Sequence, residues 1–273
     1  MAGTVAVAGG RFYLSNGVTL TANAYAGPIV CITCGSGVTA TLDGSVFGGS
    51  SSLAYGAATS LTGALTITGD SHAGSASAAH GAYNANQGSI TISGNVYGSN
   101  SNSSAYGVRN NSTGTVTVGG SSYAGTAAAG AYNLGSGTLT IAGHSYASSG
   151  AAGVVHVGSG TNVTIGMTAV GGTSSTAYGA HNSGTGTITV AGAAVSADSP
   201  GLGPGIANTG SGYAAVGSMV TGTSGVSPCV GHVHVADLST FTALVRSSSS
   251  STTLSTEVGL PSPFQSASVF GAV

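Results

Sequence analysis

The chain has no lysine and no tryptophan, and only three arginines against five acidic residues across 273 positions. Three arginines cannot neutralise a track of phosphates, which excludes a basic nucleic-acid binder. Chemistry usually needs ionisable groups, and their scarcity argues against a conventional enzyme, so no enzymatic activity is expected. Disorder of the charged, hydrophilic kind is excluded as well: charge is nearly absent and mean hydropathy is +0.36. Six prolines without a three-residue glycine period exclude collagen. No apolar run approaches the roughly 18 residues of a membrane-spanning helix, and the first residues lack the basic and apolar regions of a signal peptide. Neither membrane insertion nor a leader is expected. Three cysteines, Cys31, Cys34 and Cys229, do not make a disulfide framework.

What the chain has in abundance is glycine, 49 residues of it, together with a repeat. The motif Gly-x-apolar-Thr-apolar recurs at Gly37, Gly63, Gly88, Gly114, Gly137, Gly160, Gly186 and Gly212, at intervals of 23 to 26 residues. Each repeat contains three short extended pieces. The first alternates strictly, as in ALTIT (64–68), SITIS (89–93), TVTVG (115–119), TLTIA (138–142) and TITVA (187–191). Alternation of period two marks strands buried on one face, with Leu65 and Ile67, Ile90 and Ile92 or Val116 and Val118 inward and the threonines outward. The repeat after Gly160 reads one residue out of step, which predicts a local bulge there. The second piece carries an aromatic column of Tyr25, Phe47, His72, Tyr97, Tyr123 and Tyr146, continued by Val170 and Val195. The third has a corner glycine (Gly56, Gly81, Gly107, Gly130, Gly153, Gly179, Gly205) followed three residues later by Asn84, Asn110, Asn133, Asn182 and Asn208, with Thr59 and His156 in the same column.

Columns of like residues at this period are the signature of stacked coils. The fold class expected is all-β: a right-handed parallel β-solenoid with three short strands per coil of 23–26 residues. The asparagines are expected to form a structural ladder, each side-chain amide bonding to its counterpart one layer away. The corner glycines are expected to permit tight turns. Residues 1–36 read as irregular N-terminal coils, 37–215 as the repeat array and 216–246 as a C-terminal β region. Residues 247–273 read as a serine-rich linker and a tail.

Candidate chemistry is sparse. Asp43 and Asp70 fall at corners of adjacent coils and are the one pair of acids a polysaccharide-cleaving site could use. Corner aspartates bonding to backbone amides explain them better. Cys31 and Cys34 form a C-x2-C without the second pair that structural zinc requires, which leaves free thiols, a disulfide or half a metal site. No resident cofactor is expected. His232 and His234 would share one face of a strand, and three chains around an axis would bring six imidazoles together, so a metal ion is conceivable there in an oligomer. Two residues past the corner glycines, Tyr83, Arg109, Tyr132 and His181 stand on the outer face. Aromatic and guanidinium groups on a rigid ladder suit stacking on sugars and hydrogen bonding to them, which makes this column the candidate ligand site. The Thr-x-Thr rows are similar to those of ice-binding solenoids, although Ala64 and the shifted repeat at 160 interrupt the array.

The phrases YGVRNNSTGTVTVGG (106–120), GAYNLGSGTLTIAG (130–143) and YGAHNSGTGTITVAG (178–192) resemble repeats of phage tail-fibre and tailspike-like β-solenoid proteins. The resemblance covers roughly residues 35–215 and implies a structural, adhesive fibre or spike of a phage-like virion. It implies a trimer or another homo-oligomer, assembled with other virion proteins and binding a glycan on the host surface. It also implies that His232 and His234 would be the metal pair. The alternative reading is a self-assembling extracellular or cell-surface filament. Neither nucleic acid nor a membrane is an expected partner.

Overall fold

The computed structural model describes residues 3–7, 12–13, 17, 19–26, 32–34, 37–50, 54–59, 62–75, 79–100, 105–126, 128–149, 151–159, 162–173, 177–196, 205–218, 220–221, 232–235 and 254–255. Three parallel sheets of nine, eleven and ten strands make up the fold, and every described element is a strand. The first runs through Ala57–Thr59, Ala82–Asn84, Val108–Asn110, Ala131–Asn133, Val154–His156, Ala180–Asn182 and Ile206–Asn208, and is called here the Asn sheet. The second, the Thr sheet, runs through Thr39–Leu42, Ala64–Ile67, Ser89–Ile92, Thr115–Val118, Thr138–Ile141, Asn162–Ile165, Thr187–Val190 and Tyr213–Val216. The third, the stack sheet, includes Val46–Phe47, Ser71–His72, Val96–Tyr97, Ser122–Tyr123 and Ser145–Tyr146. The chain visits the three sheets in that order once per repeat. It is a parallel β-solenoid, as the periodicity predicts. The same sheets take in Gly3–Val7, Phe12–Tyr13 and Thr19–Leu20 at one end and Val220–Thr221, His232–Val235 and Leu254–Ser255 at the other.

Side-chain size sets the cross-section. The Thr sheet contributes the large inward residues, among them Leu65, Ile67, Ile90, Ile92, Leu139, Ile141, Ile165 and Ile188, all at most 1% exposed. The other two walls answer with smaller ones, such as Ala57, Ala82, Ala131 and Ala180 from the Asn sheet and Val46, Val96, Ala169 and Ala194 from the stack sheet. Burying each Leu or Ile is worth about 1.5–3 kcal/mol, so the Thr sheet supplies most of the hydrophobic stabilisation. Ser71, Ser122 and Ser145 also point inward. Their hydroxyls donate across the coil to the carbonyls of Gly81, Gly130 and Gly153 at 2.8, 2.6 and 2.7 Å. A buried hydroxyl is tolerated because it is satisfied.

Those carbonyls belong to the corner glycines, and the glycines answer to space rather than to a left-handed turn. A Cβ on Gly153 would sit 2.6 Å from the Val170 nitrogen and 2.7 Å from the Gly179 carbonyl oxygen. The Asn sheet starts in direct backbone contact with the stack sheet, where no side chain fits. A left-handed backbone is found instead at Gly17 (φ 73°) and Gly37 (φ 69°), which precede strands of the Thr sheet.

One corner has a polar ladder with no fixed residue type. Between the Thr and stack sheets the same position is held by Ser45, Asp70, Asn95, Ser121, His144 and Thr168. The Asp70 backbone N–H donates to Ser45 Oγ at 3.0 Å, that of Asn95 to Asp70 Oδ1 at 2.6 Å and that of Ser121 to Asn95 Oδ1 at 2.8 Å. The His144 N–H then donates to Ser121 Oγ at 3.0 Å and the Thr168 N–H to His144 Nδ1 at 3.2 Å. Each coil thus caps the turn of the next. Asp70 is a corner acid bonded to a backbone amide, whereas Asp43 accepts from the Thr68 hydroxyl at 2.8 Å.

The repeat after Gly160 corrects one expectation. Val163, Thr164 and Ile165 pair in plain register with Leu139, Thr140 and Ile141 on one side, and with Ile188, Thr189 and Val190 on the other. No bulge falls within Val163–Ile165, and residues 160–161, where the sequence carries one extra residue, lie outside the described residues. The 23–26-residue period has another source. From the aromatic position of the stack sheet to the corner glycine the chain takes seven to ten residues, while the Asn-to-Gly corner always takes four. Apart from one extra residue after Gly37 and one after Gly160, the variation falls between the stack and Asn sheets.

Candidate functional site

The asparagine column is fully buried but is not an amide-to-amide ladder. The Nδ2 groups of Asn84, Asn110, Asn133, Asn182 and Asn208 donate to the carbonyls of Gly88, Gly114, Gly137, Gly186 and Gly212, four residues on, at 2.8–3.0 Å. Each amide closes the corner of its own coil. The turn carbonyl points inward and needs a donor there, and a side chain four residues earlier reaches it sooner than one from another coil. Asn84 Oδ1 accepts from Thr59 Oγ1 at 2.8 Å. His156 takes an asparagine's place with its ring buried. Its Nδ1 lies 3.3 Å from the Asn133 carbonyl oxygen, and its Nε2 has no partner among the described residues.

The outer face of the Asn sheet holds the proposed ligand column. Backbone register sets Tyr83 beside Arg109 and Arg109 beside Tyr132. His181 is separated from them by Val155, which pairs with Tyr132 on one side and His181 on the other. His181 instead packs its ring on Tyr178, with centroids 4.9 Å apart, and pairs with Thr209 Oγ1 at 3.1 Å. The sequence column of four is therefore a cluster of three and an outlier.

A second column completes the cluster. Tyr55, His80 and Tyr106 stand immediately before the corner glycines, and their rings interleave with those two residues after. Ring centroids lie 4.7 Å apart for Tyr55 and Tyr83, 5.2 Å for His80 and Tyr106, and 4.6 Å for Tyr106 and Tyr132. The Arg109 guanidinium carbon lies 5.9, 5.5 and 5.7 Å from the ring centres of Tyr83, Tyr106 and Tyr132, within reach of cation–π attraction. Its Nε donates to Asn111 Oδ1 at 2.6 Å, and Asn111 Nδ2 donates to the Tyr83 hydroxyl at 3.0 Å. The signal for the missing residues lies in the ring that precedes the corner glycine in Ala-Tyr-Gly (54–56 and 105–107) and Ala-His-Gly (79–81).

His80 lies beneath this cluster at 1% exposure, with Nε2 3.4 Å from an Arg109 amino nitrogen. Burial, reinforced by the Arg109 charge, pushes its imidazole down to about 3. The ring is neutral at physiological pH and does not compete with Arg109 for an anion. Burial raises the Tyr106 phenol, the neighbouring Tyr132 adds to the rise, and Arg109 opposes it.

The stack sheet offers a different aromatic array. Phe47, His72, Tyr97, Tyr123 and Tyr146 form one stack with centroid spacings of 4.5–5.0 Å and interplanar angles of 5–9°. Each ring face is covered by its neighbour, so the column presents edges and is a structural ladder rather than a sugar platform. On the Asn sheet three of the ring pairs are tilted by 31° to 52°, so those faces are not covered by parallel neighbours as they are in the stack sheet.

The Thr sheet carries one unbroken outer column, Thr19, Thr41, Thr66, Thr91, Thr117, Thr140, Thr164 and Thr189. The repeat at 160 does not interrupt it, contrary to expectation. The adjoining column is broken by Ala64, Asn162 and Tyr213, so two complete rows do not form.

Among the described residues no three His, Cys, Asp or Glu side chains gather as a metal site. The side chains of His232 and His234, and those of Cys31, Cys34 and Cys229, lie outside the described residues. Backbone register aligns His232 with Tyr213 and His234 with Ala215, the outer positions of the Thr sheet. Among the described residues no helix is long and apolar enough to cross a membrane. No family model, curated protein or solved structure matches the chain.

Proposed function

We propose that the chain is a rigid adhesive rod, a fibre or spike component of a phage-like virion, and that it binds a saccharide of the host surface through the Arg109 cluster. Assembly with other copies, as a trimer or another homo-oligomer, and with other virion proteins belongs to the same reading. The observation that carries it is the arrangement of Tyr55, Tyr83, Tyr106 and Tyr132 with Arg109 on one face of a coil stack. Aromatic faces bind the C–H faces of pyranose rings, and a fixed guanidinium donates to sugar oxygens. A parallel ladder holds these groups without the entropy cost of ordering loops on binding.

The test is binding of the full chain to a panel of bacterial surface glycans, with Arg109→Gln and His181→Ala compared with the parent. Arg109→Gln is expected to weaken binding about tenfold or more. His181→Ala, outside the cluster, is expected to leave it within about twofold. Absence of glycan binding by the folded parent, or equal binding by Arg109→Gln, would contradict the reading.

A further inference from the structure

We propose that the saccharide taken by the Arg109 cluster is acidic, with a sugar carboxylate seated against the Arg109 guanidinium. This rests on the saccharide reading above and names its ligand class. The chain carries three arginines and no lysine, so a half-buried cation is an exception that the fold does not require. Ala58, Val155 and Ala207 occupy the same register column in other coils, and the coil closes equally well around them.

Among the described residues Arg109 has no counter-charge. Among the described residues no carboxylate pairs with it, and its bonds go to the neutral Asn111 amide and the His80 ring nitrogen. Asn111, itself bonded to the Tyr83 hydroxyl, fixes the plane of the guanidinium through Nε. One terminal amino nitrogen has only the distant His80 contact at 3.4 Å, and the other makes no hydrogen bond among the described residues. That edge is the one a carboxylate takes with two parallel N–H···O bonds. The tyrosine rings around it lower the local polarity, which strengthens attraction for an anion. They also supply the apolar surface that the sugar ring needs beside its carboxylate. With His80 held neutral, the cluster presents a single positive charge to a singly charged ligand.

The experiment compares glycosides of glucuronic, galacturonic and sialic acid with the methyl ester of each. Binding to the full-length parent chain is measured by calorimetry at low and high salt. At least one acid is expected to bind about tenfold or more tightly than its ester. Raising the salt is expected to weaken the acid and leave the ester unchanged. In Arg109→Gln the acid and ester are expected to bind alike. The ester comparison is made on the parent chain, so the outcome stands even if the variant misfolds. Equal binding of acid and ester would overturn the acidic assignment and leave the saccharide reading standing. No binding of any of these sugars would overturn the acidic assignment. If the panel of neutral and acidic surface glycans is also unbound, the saccharide reading falls with it.

Discussion

Gly107→Ala is expected to destabilise the central coils by about 3 kcal/mol or more, at the upper end of what overpacking costs. The added methyl would point into the coil, against the Ser122 side chain, 2.7 Å from the Gly130 carbonyl oxygen and 2.8 Å from that of Tyr123. Two of these three are backbone atoms already committed to the stack, as in the bond from the Val108 N–H to the Gly130 carbonyl at 3.0 Å. Neither can retreat without opening the next coil. Ser122 can turn away only by giving up its 2.6 Å bond to Gly130. Because each repeat contacts only its neighbours, the damage should spread locally. Amide exchange should speed up from about residue 96 to 133 before the chain unfolds as a whole. Ser89→Ala, at an outward position where the preceding coil already has Ala64, is the control and should change stability by no more than about 0.5 kcal/mol. Urea denaturation followed by circular dichroism measures both. A loss below about 1 kcal/mol for Gly107→Ala would mean that the two sheets do not approach as closely as described.

Acid should destabilise the rod well before its carboxylates are neutralised. His80 is held neutral by burial and by Arg109, with its value down at about 3, whereas in the unfolded chain it titrates near the ordinary 6.5. Between these values the unfolded state binds the proton and the folded state does not. The contribution of His80 is therefore full above about pH 6.5 and falls by about 1.4 kcal/mol for each pH unit below it, down to about pH 3. His156, His72 and His181 are lowered in the same direction, all chiefly by burial, and steepen the loss. Denaturation midpoints measured from pH 7.5 to 4.5 should fall steadily below pH 6.5. His80→Gln should flatten the slope by roughly one proton's worth. His156→Asn restores the residue of its column and removes a buried nitrogen without a partner. It should raise stability at neutral pH by about 1 kcal/mol and flatten the slope further. A slope unchanged in His80→Gln would show that the imidazole is protonated in the folded state.

Much of the architecture was legible because a parallel stack repeats chemistry at a fixed register. Thr66, Thr91 and Thr117 recur where the backbone recurs, and so do Tyr97, Tyr123 and Tyr146. The corner ladder is illegible for the opposite reason. Ser45, Asp70, Asn95, Ser121 and His144 share a hydrogen-bond acceptor rather than a residue type, so no column of like letters marks them. The asparagine column is legible but its partner is not, because sequence shows recurrence between coils and hides a bond four residues away within one. At the site, Tyr83, Arg109 and Tyr132 were legible as a column. His80 was not, since a histidine before a glycine gives no sign of burial. His181 shares their spacing, and Val155 between them has no chemistry to mark the gap.

Unbroken register from coil to coil, the repeat at 160 included, is the claim on which the rest depends. It is tested most directly by pulsed electron spin resonance on a chain with its three cysteines replaced and spin labels attached at Thr41→Cys and Thr189→Cys. Six coil steps separate these positions in the Thr column, which at about 4.8 Å each places them about 29 Å apart. A single narrow distribution near that distance is expected, with Thr66→Cys and Thr164→Cys, four steps apart, giving about 19 Å. A broad distribution, or one far from these distances, would contradict the continuous solenoid, and with it the columns that build the Arg109 site.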